Sequence, residues 1–287
     1  MENVLLRLAL QKSGRLSEDS LNLISRCGIK MNNGLGTLKT SASNFPMEFL
    51  FLRDDDIPGY VADGVADIGI VGENVLFEKN KLVMEVHKLG FSKCRLSIAV
   101  PREVNYKGVS DLNGKRIATT YPRILQRFLD ENGIEAKIHE ISGSVEIAPN
   151  IGLADAICDI VSTGSTLFTN GLKEVETVFR SEAVLIGHPH LSETKQQILH
   201  KFLFRIKAHQ TAQNNKYILL NAPKESLETI IKILPGMKSP TVTPLAQEGW
   251  VSVHSVIDEN DFWDKIELLK DAGAQGILVI PIEKMII

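Results

Sequence analysis

Two stretches of the chain are written alike. Gly64-Val65-Ala66-Asp67-Ile68-Gly69-Ile70-Val71-Gly72 and Gly152-Leu153-Ala154-Asp155-Ala156-Ile157 each end a helix on glycine, place Ala-Asp, and run into a short apolar segment. The second copy continues through Cys158-Asp159-Ile160-Val161 to Gly164. A helix end, a buried strand and a glycine turn in that order mark an α/β unit. Two copies predict two lobes of similar design, each offering a loop to a shared cleft. Coincidence between two ordinary αβ units is the plainer alternative.

The surrounding sequence supplies the other elements. Val4 to Ala9 reads as a strand entering the polar turn Gln11-Lys12-Ser13-Gly14-Arg15. A helix follows, with Ser17 as its expected N-cap, Leu21, Ile24 and Cys27 on its inner face, and Gly28 as its stop. Leu96 to Val100, Arg116 to Thr120 and Ala136 to Ile141 read as strands, and Pro122 opens a helix that Gly133 ends. This alternation predicts a parallel α/β architecture. The last seventy or so residues read as strand, helix, two strands, helix, strand, with the strands at 216–221, 238–245, 250–257 and 276–282. That βαββαβ order is ferredoxin-like. A polar helical stretch, 192–213, leads into it.

Composition narrows the class. At 287 residues, 44% hydrophobic and 23% charged, the chain is an ordinary globular protein of more than one domain. A net charge of -3 gives no argument for nucleic acid or an anionic membrane as partner. Cys27, Cys94 and Cys158 are scattered and form no CxxC pair, which fits a reducing compartment. The N-terminus lacks a signal-peptide pattern and no apolar run is long enough to span a bilayer, so the expected location is the cytoplasm.

The chemistry concentrates at strand-to-helix turns, where open α/β sheets bind ligands. In Asp159-Ile160-Val161-Ser162-Thr163-Gly164-Ser165-Thr166-Leu167 a strand leaves the core into hydroxyls and a glycine before helical spacing resumes. Such a string is a phosphate cradle. Gly164 admits close approach, successive amides converge at a helix start, and Ser162, Thr163, Ser165 and Thr166 add donors. Asp159 can hold ribose hydroxyls or water on a magnesium ion. Lys12-Ser13-Gly14-Arg15 flanks a flexible turn with two cations and suits a pyrophosphate or triphosphate. Arg53 can reach a phosphate from the end of a strand, while Asp54, Asp55 and Asp56 read mainly as a solvated turn. Gly72-Glu73-Asn74 can bind an anion or a base edge, or serve as a plain αβ turn. Glu146, in Ser142-Gly143-Ser144-Val145-Glu146, can accept from a ribose hydroxyl or orient an adenine, or favour a helix N-terminus. P-loop, HExxH and Gly-x-Ser-x-Gly patterns are absent, and Gly34-Leu35-Gly36-Thr37-Leu38-Lys39 breaks the dinucleotide fingerprint at its last position.

In their order and content, Lys12-Ser13-Gly14-Arg15-Leu16, Ala66 to Gly72, Ser142 to Glu146 and Ala154 to Leu167 resemble the ATP phosphoribosyltransferases. The resemblance covers essentially the whole chain and is most specific from Asp155 to Leu167. It implies a two-lobed catalytic core like type II periplasmic binding proteins, with lobe I at 1–95 completed by about 185–212 and lobe II at 96–184. It further implies a regulatory ferredoxin-like (ACT/PII-like) domain at 213–287, as in the long form of the family. The implied reaction condenses ATP with phosphoribosyl pyrophosphate in the presence of Mg²⁺, opening histidine biosynthesis. By carry-over, Ser162 to Thr166 grip the ribose 5-phosphate, and Asp159 or Asp155 the ribose hydroxyls. Lys12, Arg15 and Arg53 meet phosphates, and Mg²⁺ is held largely by substrate oxygens. Inhibition by L-histidine is implied near Asn221, Met237, Thr241, Ser255 and Gly276, and homo-oligomers from dimer to hexamer are implied. Two rivals remain. One is a two-lobed sensor of a phosphorylated small molecule. The other is a nucleobase-salvage phosphoribosyltransferase, whose usual pair of acids is broken here by Cys158 before Asp159.

Overall fold

The computed structural model describes residues 4–32, 38–162 and 164–287, so Thr163 of the hydroxyl loop and the 34–37 part of the broken glycine pattern lie outside the described residues. The chain divides into two compact units, Met1–Ile198 and Leu199–Ile287.

The first unit begins with β1 (Leu6–Gln11), α1 (Arg15–Arg26), β2 (Lys39–Ser41), β3 (Met47–Leu52), α2 (Ile57–Ala62), β4 (Ile68–Gly72), α3 (Glu73–Lys79) and β5 (Met84–Lys88). It continues with β6 (Cys94–Pro101), β7 (Arg116–Thr119), α4 (Pro122–Asn132), β8 (Lys137–Glu140), β9 (Ala156–Val161), α5 (Ser165–Thr169) and β10 (Leu172–Ser181), and returns through β11 (Ala183–Gly187). Two separate sheets result, ordered β2-β3-β1-β4-β11-β5 and β10-β6-β9-β7-β8. These are the two lobes, and the chain passes between them twice, after β5 and after β10.

Both sheets are mixed, where a parallel architecture was expected. Strands β3, β1 and β4 are parallel, as are β8, β7 and β9. β11 pairs antiparallel with both β4 and β5, and β6 pairs antiparallel with both β9 and β10, so β11 and β6 run against the parallel set while β5 and β10 run with it. These four carry the chain between lobes. β11 and β6 are entered directly from the other lobe, with no helical crossover within their own sheet to restore the parallel direction. By contrast, α3 returns β5 to the direction of β4, and α5 returns β10 to that of β9.

Local rules explain most element ends. Pro122 starts α4 and left-handed Gly133 ends it, as the sequence predicts. Helix α1 differs: it starts at Arg15 with Gly14 in the N-cap position, three residues before the expected Ser17 cap. Ser17 and Ser20 are buried in α1 beside Leu23 and Ile24, and the Ser20 hydroxyl donates to the Leu16 carbonyl at 2.6 Å.

The likeness between 64–72 and 152–164 has a physical counterpart. In lobe I, Asp67 accepts the Arg7 backbone N–H at 2.8 Å and returns its own N–H to the Arg7 carbonyl at 2.9 Å. The Arg7 guanidinium donates to the Gly64 carbonyl at 2.8 Å. In lobe II, Asp155 accepts the Arg116 N–H at 2.9 Å and donates to the Arg116 carbonyl at 2.8 Å. The Arg116 guanidinium reaches the Gly152 carbonyl at 3.0 Å. Each lobe thus fastens the start of one parallel strand to its neighbour with the same Arg–Asp–Gly clasp.

The second unit holds most of α6 (Glu193–Gln213), then β12 (Asn215–Pro223), α7 (Leu227–Ile233), β13 (Thr241–Pro244), β14 (Trp250–Asp258), α8 (Phe262–Asp271) and β15 (Gln275–Pro281). Its antiparallel sheet is ordered β13-β14-β12-β15, the ferredoxin-like arrangement expected of βαββαβ. Alternation along β12 and β14 sends Ile218, Leu220, Ala222, Val251, Val253 and Ile257 into a core with Ile230, Leu234 and Leu269. β13 starts at Thr241, later than the predicted 238, immediately after Pro240, which has no N–H to give a ladder. No helix among the described residues is long and apolar enough to cross a membrane.

Candidate active site

Strand register brings the candidate cations into one row. Gln11 pairs with Leu52 and Ala9 with Gly69, so Lys12, Arg53 and Gly72 stand side by side at the carboxyl ends of β1, β3 and β4. Lys12, Arg15 and Arg53 are all exposed. The same construction in lobe II pairs Thr119 with both Glu140 and Cys158, aligning Thr120, Ile141 and Asp159 at the carboxyl ends of β7, β8 and β9.

The hydroxyl loop follows directly. Glu146, Asp159, Ser162, Gly164, Ser165 and Thr166 line a cavity of about 280 Å³, floored by Val161 and Leu167. Those two side chains are buried with Ile157 in the core beneath the sheet, which anchors the loop while its polar residues face outward. Gly164 is left-handed, with φ +81°, a conformation that side chains with a Cβ rarely adopt. The first bond inside α5 is donated by Phe168 to Gly164, at 3.0 Å, so the amides of Thr166 and Leu167 precede the first intrahelical donor. Half-buried Asp159 has its carboxyl pushed up from the ordinary range by burial, opposed by the Ile160 N–H at 2.7 Å and reinforced by nearby Glu146.

Tyr121 joins the two carboxyl edges. Its hydroxyl accepts from the Asn74 side-chain amide at 3.1 Å, and Asp159 of lobe II and Asp54 and Asp55 of lobe I lie within its electrostatic reach. Burial is the main cause that drives its phenol pKa upward. The Asn74 oxygen accepts from Ser181, at the second crossing between lobes, at 2.8 Å. One turn along α3, Glu78 accepts the Arg123 and Ile124 amides at 3.0 and 3.1 Å, capping α4 from the other lobe. Tyr121, Glu78 and Ser181 escaped the sequence reading. Tyr121 carried a usable signal, since it sits in a strand-to-helix turn of the same type as Lys12–Arg15.

Several candidates stand elsewhere or are already engaged. Asp155 is at the opposite end of β9 from the cavity, ion-paired to Arg116 at 2.9 Å. Glu73 is buried, bound to Lys88 at 2.6 Å and to the Glu182 N–H at 3.1 Å. Asn74 spends its amide on Tyr121 and Ser181. A side chain at Gly72 would collide with the Asn74 oxygen, so this glycine makes room for that tie. In the second unit, Asn221 lies beside Gly276 and Ser255 beside Gly236. Asn221 pairs with Ser252, whereas Ser255 pairs with Ile218 on the core-facing side, so Asn221 and Ser255 are on opposite faces of the sheet. Met237 is exposed in the loop before β13, and Thr241 is exposed at its start. Among the described residues no group of three or more His, Cys, Asp or Glu side chains is placed to hold a metal ion, and the three cysteines form no disulfide.

Comparison with known proteins places this geometry in a family. The ATP phosphoribosyltransferase family profile matches residues 53–208, and that of its C-terminal domain matches 212–284. An ATP phosphoribosyltransferase of Cytophaga hutchinsonii is 63% identical over 284 residues, covering 99% of both chains. One of Bacteroides thetaiotaomicron is 58% identical over 283 residues, covering 99% of this chain and all of the relative. A solved ATP phosphoribosyl transferase (HisG:HisZ) complex from Thermotoga maritima superposes with a TM-score of 0.61 at 30% identity, over 71% of this chain and 97% of that one. This chain belongs to the ATP phosphoribosyltransferase family.

Proposed function

We propose that the loop from Asp159 to Thr166 grips the ribose 5-phosphate of phosphoribosyl pyrophosphate while the Lys12–Arg15–Arg53 edge receives phosphates of ATP or of the leaving pyrophosphate. The enzyme is a pentosyltransferase that joins ATP to phosphoribosyl pyrophosphate, giving phosphoribosyl-ATP and pyrophosphate. Adenine N1 forms a bond to ribose C1 as the bond from C1 to the pyrophosphate oxygen breaks. Positive charge gathers on the ribose ring and negative charge on the leaving group. Positioning and electrostatics therefore carry the catalysis.

The observation that carries the assignment is the cavity lined by Glu146, Asp159, Ser162, Gly164, Ser165 and Thr166, which pairs neutral donors for phosphate with two carboxylates for ribose hydroxyls. Asp159 and Glu146 also suit Mg²⁺ arriving with the substrates, through its water shell. Bound there, Mg²⁺ would neutralise charge on the pyrophosphate. Lys12, Arg15 and Arg53 supply donors for the remaining phosphate oxygens. Asp155 is omitted from this proposal because Arg116 engages it at the far end of the strand.

The functional division proposed is lobe I at 1–95 with about 185–212, lobe II at 96–184, and a regulatory domain at 213–287 through which L-histidine inhibits. Self-assembly into dimers and hexamers belongs to the same proposal. Pyrophosphate release from phosphoribosyl pyrophosphate, with Mg²⁺ present, is the test. Release that requires ATP and fails in Asp159→Asn and Thr166→Val supports the site assignment. Unchanged Michaelis constants in both variants would sink it. A loss of release on adding histidine to the full chain supports the regulatory reading, and indifference to histidine refutes it.

A further inference from the structure

The segment that forms the cradle cannot hold its own shape. Helix α5 is five residues long, and isolated helices of that length are unstable in water. Leu167 anchors one side of it in the core. Among the described residues, two arginines add further fixation, Arg95 near the start of β6 and Arg102 just past its end.

Arg95 lies opposite Val161, the last residue of β9, in the β6–β9 register. Its guanidinium donates from Nη1 to the Ser162 carbonyl at 3.4 Å, where the loop leaves the strand. The Nε and Nη2 edges are both held by Glu174 of β10, each at 2.5 Å. Glu174 also accepts the buried Ser97 hydroxyl at 2.8 Å, and Arg95 foremost keeps its carboxyl below the usual range. At the other end, Arg102 donates to the Phe168 carbonyl in the last turn of α5 at 2.9 Å. Its guanidinium also stacks 3.8 Å from the centre of the Phe168 ring. Neither Arg95, Glu174 nor Arg102 lines the phosphate cavity.

We propose that Arg95, oriented by Glu174, and Arg102 are positioning residues that brace the two ends of the phosphate loop and thereby set affinity for phosphoribosyl pyrophosphate. This rests on the reading of that loop as the ribose 5-phosphate grip. A two-pronged guanidinium–carboxylate pair fixes direction as well as distance, so Nη1 is aimed at the loop without searching. Shifts of about 1 Å in a positioning group cost up to roughly 100-fold in rate, so a brace behind the loop acts on substrate without touching it.

Initial rates of the full-length enzyme at saturating ATP test the inference. Glu174→Gln keeps shape and removes the charge that orients Arg95. The expected result is a rise of about tenfold or more in KM for phosphoribosyl pyrophosphate, with KM for ATP within about twofold of wild type. Arg102→Ala should act in the same direction, and Arg95→Lys should retain more affinity than Arg95→Ala. The sign of the Glu174→Gln effect separates bracing from direct contact. A lower KM would mean that released Arg95 reaches the anion itself, which overturns the proposal. Unchanged KM in variants with wild-type circular dichroism and melting overturns it too. If single variants fold poorly, the exchange Arg95→Glu with Glu174→Arg must recover affinity relative to either single change, and failure to do so counts against the brace. Thr166→Val isolates the underlying reading. If it raises KM while the Glu174 and Arg95 variants do not, only the brace is wrong. If it too has no effect, the phosphate-loop assignment fails.

Discussion

Replacing Asp67 and Asp155 separately by alanine perturbs the same clasp in two environments. The side chain of Asp67 is 6% exposed, and it receives the Arg7 N–H at 2.8 Å and the Lys195 ammonium at 2.8 Å. Removing it breaks charge-assisted bonds and leaves donors partly buried, a loss of about 3 kcal/mol. Asp155 makes equally short bonds, but its side chain is 38% exposed and that of Arg116 is 42%. Solvent screening and replacement by water reduce its worth to about 1 kcal/mol. At about 2 °C per kcal/mol for a chain of this size, Asp67→Ala should lower Tm by about 6 °C and Asp155→Ala by about 2 °C. Thermal melts at fixed protein concentration measure both, and amide exchange locates the loosened strands at β1–β4 or β7–β9. Equal losses, or a larger loss at Asp155, would refute burial as the deciding variable. The lobe II pair carries a pH signature as well. Arg116 holds the Asp155 carboxyl at about 2, below its ordinary 3.8. Its contribution is complete above 3.8 and fades as pH falls toward 2, so wild type and Asp155→Ala should converge in acid.

Three further outcomes follow from the site. Gly164→Ala meets no atom within 4 Å, so only the left-handed backbone at φ +81° resists it; the expected loss is about 1–2 kcal/mol, with a raised KM for phosphoribosyl pyrophosphate and little change for ATP. Burial, aided by Asp55, lifts the Asp54 carboxyl to about 6, and its Oδ1 is buried with no hydrogen-bond partner. Its favourable contribution is therefore present below 3.8 and lost as pH rises through 6, so Asp54→Asn should be more stable than wild type by up to about 3 kcal/mol near pH 8, and urea melts should show the gap closing near pH 4. Glu73→Gln should lower Tm while leaving KM for ATP within about twofold of wild type, because Lys88 and the Glu182 amide occupy the carboxylate.

Much of this protein was legible in the chain because its signals are local. The Pro122 start and Gly133 stop of α4, the βαββαβ order of the last unit, and the Asp159–Thr166 loop each depend on neighbours in sequence. The echo between 64–72 and 152–164 was legible as pattern, and it marked two lobes. Its aspartates were harder to interpret. Asp155 and Asp159 are four residues apart in one string, yet Asp155 stands just before β9 in the Arg116 clasp and Asp159 lies inside the strand, where it lines the cavity. Strand length, at about 3.3 Å per residue, puts them at opposite edges of the sheet.

What the sequence determined by itself was the type of those elements bounded by local signals and the chemistry of their turns, since helix caps, glycine turns and hydrophobic periodicity act over a few residues. β2, β5, β10 and β11 took shape only through pairing. Pairing across the fold was decided only by tertiary structure. Register set Arg53 beside Lys12, the crossings made both sheets mixed, Asn74 met Tyr121 across 47 positions of chain, and Arg95 met Glu174 across 79. Such contacts come from packing that closes long loops, and no local propensity encodes them.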